Sequence, residues 1–152
     1  MGTTDHDTSE FAANSSIYWR WKKYGELLYK NSSGILITAD SGGSSGNRIH
    51  LWKHSLQNIA DKIKLPISAC NFLPGTSKWN KIVHKLFSFI SSNRRGEPFI
   101  NYETAVKFIS STKTSAGLTV SCVLDYSAYQ TAIKLSKNQI LSMNIKNNFN
   151  SE

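Results

Sequence analysis

The chain has 152 residues, a formal charge of +8, and 39% hydrophobic and 11% aromatic residues. That length suits one domain or a piece of one, and four tryptophans exclude a disordered polymer. The basic balance favours an anionic partner, of which nucleic acid is the commonest, with an ordinary basic surface as the alternative. The two cysteines, Cys70 and Cys122, form no CxxC and have no histidine at zinc spacing. This excludes a disulfide framework and a zinc knuckle, and two buried, reduced thiols are expected. No apolar run approaches the roughly 18 residues of a membrane span, and no charged-then-apolar leader opens the chain. A cytoplasmic protein without a membrane partner is expected.

In chain order, residues 1–7 are polar and expected to be loose. Asp7 and Glu10 stand at capping-box spacing. Phe11, Ile17, Trp21, Tyr24 and Leu28 follow at helical spacing, until Asn31-Ser32-Ser33-Gly34 ends the helix. Ile35 to Ala39 is a short apolar run that reads as a buried strand, with Asp40 at its carboxyl end. After the small-residue run 41–46, a second helix is predicted from Arg48 to Lys64. Its apolar positions are Ile49, Trp52, Leu56, Ile59, Ala60 and Ile63. Pro66 stops it, and Ile67 to Phe72 forms a second strand. Strand, helix and strand at this spacing make a βαβ unit, so the two strands should be parallel.

Leu73-Pro74-Gly75-Thr76 is a turn, and Ser77 is expected to cap a third helix running to about Ser91. Trp79, Ile82, Val83, Leu86, Phe87 and Ile90 form its apolar stripe, read as core, with Lys78, Lys81, His84 and Lys85 off it. Residues 93–98 break the helix, and a fourth runs from Tyr102 to Ser111. Leu118 to Leu124 alternates like a strand, with Ala132 to Leu135 as its expected partner. The Asn-rich tail from residue 146 is expected to fray.

Three chemistries fit the loop at Asp40. A glycine-rich turn entering a helix can hold an anion, but the GK[ST] ending of a P-loop is missing. Gly42-Gly43-Ser44-Ser45-Gly46 matches the GxSxG of serine hydrolases. However, only Asp61 followed by His84 keeps the acid-then-histidine order. A carboxylate at a strand tip with another on a nearby helix would suit two-metal phosphoryl transfer. The alternative for a lone aspartate is that Asp40 caps the turn.

The residues also resemble a known family. Ile35 to Asp40 with the glycine run, Leu51-Trp52-Lys53, Leu56-Gln57, and above all Pro74-Gly75-Thr76-Ser77-Lys78-Trp79-Asn80-Lys81-Ile82 with His84 and 86–90 strongly resemble the Rhodopirellula-type DDE transposases of insertion sequences. Thr112-Lys113-Thr114, Gly117-Leu118-Thr119-Val120 and the stretch 5–12 extend the likeness over nearly the whole chain. The resemblance implies an α/β, ribonuclease-H-like fold in which two aspartates and a glutamate hold magnesium or manganese to cut and rejoin DNA. This chain is similar to the second half of that fold, with opening strands missing and C-terminal helix and strand additions. Residues 8–145 would be the partial catalytic domain and 146–152 a frayed tail.

Asp40 matches the second acid of the triad and its metal ligand. The first acid belongs to the opening strand. The third follows Ile in the family's Trp-Asn-Lys-Ile-Glu-His, and here that position is Val83. The expectation is therefore a truncated, catalytically inactive transposase remnant with Asp40 vestigial. Its implied partner is insertion-sequence DNA, met by Lys78, Lys81, His84, Lys85, Arg94 and Arg95, with a solvated helix face as the alternative. A non-catalytic DNA-binding fragment, or a regulator that pairs with full-length transposase, is the second reading. Without the opening strand, the edge of Ile35 to Ala39 is expected to be bare and the domain marginally stable.

Overall fold

Ile35–Ala39, His50–Ile63 and Ile67–Asn71 form the predicted strand, helix and strand. The computed structural model describes residues 2–3, 8–39, 49–73, 75–94, 96 and 100–146. Its elements are β1 (Gly2–Thr3), α1 (9–28), β2 (Ile35–Ala39), α2 (His50–Ile63), β3 (Ile67–Asn71), α3 (Lys81–Arg94), α4 (Tyr102–Ser110), β4 (Leu124–Asp125) and α5 (Lys137–Leu141). They divide into two units, one of His6–Pro74 with Tyr129–Glu152 and one of Met1–Asp5 with Gly75–Ala128. The content is mixed α and β, with small parallel sheets.

In the first unit β2 and β3 are parallel, in register from Ile35 opposite Ile67 to Ala39 opposite Asn71. The ladder is extended at both ends: the Ile35 N–H donates to the Pro66 carbonyl and the Phe72 N–H to that of Ala39, each at 2.9 Å. The expected burial is only half met. Ile35, Ile37 and Ala39 are half-buried, whereas Leu36 is 69% exposed. Cys70 on β3 is exposed and Cys122 half-buried, so the thiols are not the buried pair expected. A strand covered on one side keeps its period-two pattern, and every second side chain meets solvent.

α2 carries the core. Its Trp52 and Ile59 pack with Ala13 of α1 into a buried cluster, ringed by Ile17, Ile49, Leu56, Ile63 and Ile67 among others. Of the predicted apolar positions, Ile49, Trp52, Leu56, Ile59 and Ile63 are the ones used. Ile49 holds the N-cap position, and Lys64 ends the helix in the left-handed region at φ 59°.

α1 departs from its predicted spacing. Thr8, not Asp7, caps it: the Phe11 N–H donates to Thr8 Oγ1 at 3.1 Å, while Asp7 lies outside the described residues. Ser9–Phe11 and Glu26–Leu28 are α-helical, but Ala12–Tyr18 and Trp21–Gly25 are π-helical. The Trp19 N–H reaches back five residues to Asn14, and the Glu26 N–H reaches Trp21. The wider turns rotate the buried face. Phe11, Ala13, Ser15 and Gly25 are buried, while Tyr24 and Leu28, expected inside, are exposed. Gly25 has a steric reason, because a Cβ there would run into the Trp21 ring.

The segment after residue 128 closes this unit. Tyr129 stacks edge-to-face on Phe11, with centroids 5.5 Å apart, and shares a 3.3 Å hydrogen bond with Ser15. The strand expected at Ala132 to Leu135 is not formed. Ala132 turns the chain at φ 57°, and Ser136 with Gln139 then makes a full capping box for α5.

In the second unit, α3 and α4 are joined by Asn93. Its amide donates to the Phe108 carbonyl at 3.0 Å and to Ser111 Oγ at 2.8 Å. Asn101 caps α4 through the Thr104 N–H at 2.8 Å. Residues 112–120 form a small hairpin around Gly117 at φ 88°, with Lys113 bridged to Thr119. Ser110 Oγ then binds both the N–H and the carbonyl of Cys122. Within the expected strand from Leu118, only Leu124 pairs as one: β4 (Leu124–Asp125) runs parallel to β1.

Two substitutions test this packing by chemical denaturation. Ile59→Ala, at a site 1% exposed, should cost about 2–5 kcal/mol. Lys64→Gly should stabilise by up to about 1 kcal/mol, because only the β-carbon is penalised in the left-handed cap.

Candidate nucleic-acid interface

α3 begins later than its sequence suggests. Thr76 accepts the Trp79 N–H at 2.8 Å, and Ser77–Trp79 makes a single 3-10 turn. Asn80 then takes the capping position expected of Ser77, its Oδ1 accepting the Val83 N–H at 3.4 Å. The helix continues to Arg94 rather than ending near Ser91.

Its apolar stripe is not the core that periodicity predicts. Ile90 is buried and Leu86 and Phe89 half-buried, but Trp79, Ile82, Val83 and Phe87 are exposed, Ile82 by 82%. Val83 is 40% exposed, which corrects its reading as ordinary core. A glutamate at that depth would keep water around its carboxylate, so burial gives no reason for the valine.

Lys78, Lys81, His84 and Lys85 are all exposed. Lys81 and Lys85 stand four apart on one line of the helix, and Lys78 precedes them by three across the 3-10 turn. Exposed cations beside exposed aromatic rings are the donor set that polyanions use. Arg94 closes the helix, but its side chain and all of Arg95 lie outside the described residues, as does Asp40. Four of the six predicted basic residues thus lie exposed on one helical segment.

Two features escape a reading of the sequence. Asn93 stands where the sequence predicts a helix break and is instead the α3–α4 clamp, and no local pattern announces a bond made fifteen residues away. On α1, Lys23 lies over the rings of Trp19 and Tyr24. The alternation of aromatic and basic residues from 18 to 24 is the visible sign of this.

The chain is mixed α and β, with one helix that is basic and bears exposed aromatic rings. More narrowly, it matches the model of the Rhodopirellula transposase DDE domain over residues 2–151 and belongs to that family. No curated relative and no solved structure matches the chain.

Transposases of this type use divalent metal. Among the described residues no group of three or more His, Cys, Asp or Glu is placed to hold such an ion, and Asp40 lies outside them.

Asn93→Ala should weaken the α3–α4 joint by about 1 kcal/mol. Amide hydrogen exchange should speed up in the last turn of α3 and in 108–112, and leave α2 unchanged.

Proposed function

We propose that this chain binds DNA as part of a transposase and does not cut it. The βαβ unit followed by α3 corresponds, on this reading, to the second half of a ribonuclease-H-like catalytic domain. The observation that carries the proposal is one helix segment. Lys78, Lys81 and Lys85 lie exposed along α3 and its leading turn, and Val83, between them in sequence, takes the position that the resemblance gives to the third acid. The cations can hold phosphate oxygens. The valine removes one of the oxygens that metal-dependent cleavage of DNA needs. Asp40 is the single triad acid that the resemblance places in this sequence.

The exposed Trp79, Ile82 and Phe87 favour a second reading, in which the chain pairs with full-length transposase and regulates it. Co-purification of the two from one cell extract supports it, and loss of the pair in Ile82→Asp ties it to this face.

Binding is tested by gel shift on duplexes from the element's ends and on random duplexes, at two salt concentrations. The combined Lys78→Ala, Lys81→Ala and Lys85→Ala variant should bind both more weakly. The slope of log K against log salt should shrink by about 2–3, near 0.9 for each phosphate that the variant no longer neutralises. An unchanged slope refutes the assignment of these lysines. With magnesium or manganese, no nicking should exceed that of Asp40→Ala, and Val83→Glu alone should not restore it. Nicking by the unaltered chain above that control overturns the non-cutting half of the proposal.

A further inference from the structure

The π-helical turns of α1 assemble a cluster that the family's cleavage reaction does not use. The Trp19 and Tyr24 rings meet edge-to-face, 6.1 Å apart at 78°. The Lys23 ammonium lies 4.5 Å from the Trp19 centroid and 5.3 Å from that of Tyr24. In an α-helix, side chains five apart point about 140° away from each other round the axis. Here Trp19 and Tyr24 touch because the backbone on either side is hydrogen-bonded five residues back. Such turns are uncommon and concentrate at functional sites.

We propose that this cluster is a second nucleic-acid site, selective for unpaired bases. Trp19 and Tyr24 stack bases, and Arg20 and Lys23 hold the adjoining phosphates. The proposal rests on the reading that the chain works on DNA, but it uses a different surface. Tyr24 is 42% exposed and Trp19 half-buried, Lys23 is exposed over both rings, and Arg20 is exposed next to Trp19 in sequence. Lys22 is engaged by Glu26 at 2.6 Å, and that hydrogen bond raises its pKa. Arg20 and Lys23 therefore supply the cationic edge of the rings.

Two other anionic partners fit less well. In a duplex the base faces are covered by their neighbours, so exposed rings have nothing to stack on. A single strand offers both base faces and phosphates, and protein rings beside cations are how such strands are held. An interfacial membrane helix keeps its rings on the lipid side and its ammonium groups on the other. Here the ammonium lies over the rings.

The test uses the full chain and fluorescence anisotropy of a labelled oligothymidine and of a GC duplex of equal length. Trp19→Ala and Tyr24→Ala should each weaken single-strand binding by about 5- to 100-fold, the range for loss of one stacked base. Trp19→Phe and Tyr24→Phe should stay within about threefold of the unaltered chain, and all four should leave duplex binding within about twofold. The triple lysine variant of α3 should show the opposite pattern. If the unaltered chain binds the single strand but no duplex, the α3 reading fails and this one stands. Unchanged single-strand binding in both alanine variants overturns the proposal, as does a parallel loss on duplex. Ring-dependent binding to phosphatidylglycerol vesicles without binding to oligothymidine also overturns it. Should Trp19→Ala fail to fold, Tyr24→Ala at its exposed position decides alone.

Discussion

Two parallel strands cannot stand alone in water, and their connection cannot be a tight turn. The helix that links β2 to β3 therefore also has to supply their core. It does so through Trp52 and Ile59, closed against Ala13, which is fully buried. The cluster carries a cost, since among the described residues the buried Trp52 Nε1 has no hydrogen-bond partner. An unmade bond of that kind costs about 1–3 kcal/mol. Removing about 200 Å² of indole from water returns roughly 5 kcal/mol at about 25 cal/mol per Å². Burial wins, and the register from Ile35 to Ala39 follows from it. That register sets the carboxyl ends of both strands side by side, where open α/β sheets hold their ligands.

α2 and α3 show what periodicity can and cannot tell. Both have an apolar stripe at helical spacing. On α2 Ile49, Trp52, Leu56, Ile59 and Ile63 lie in or against the core. On α3 the same kind of stripe is bare at Ile82, Val83 and Phe87, half-covered at Leu86, and buried only at Ile90 near the Asn93 clamp. Spacing fixes which side of a helix is apolar. What lies against that side is decided by partners distant in sequence, and the stripe holds no information about them. The βαβ unit is legible because it is built between neighbours along the chain. The end of the chain is not: alternation from Leu118 suggests a strand, and it outweighs the Ser136 to Gln139 capping box, which is the local signal that the fold obeys.

Caps and turns explain most of the shifted boundaries. Thr8 and Asn80 each cap a helix one to three residues beyond the residue expected to do so. Several serine, threonine, asparagine and aspartate side chains stand near each helix start, and any of them can accept the free N–H groups. The π turns of α1 lie further from view. Hydropathy at about 3.6 residues per turn assigns Tyr24 and Leu28 to the core, and only the wider turn, with Gly25 leaving room for Trp21, moves them outward.

Val83 is where folding and chemistry meet. Had it been enclosed, its identity would follow from packing, and a carboxylate there would be penalised by burial. At 40% exposure neither holds. A charged side chain at 83 would be solvated, on a different face of the helix from Lys81 and Lys85, which stand two residues to either side. The fold therefore does not require valine. Folding and ligand chemistry can be separated at this position, because a carboxylate, the group that the proposed reading assigns to the third acid, is one that this helix can carry without unfolding.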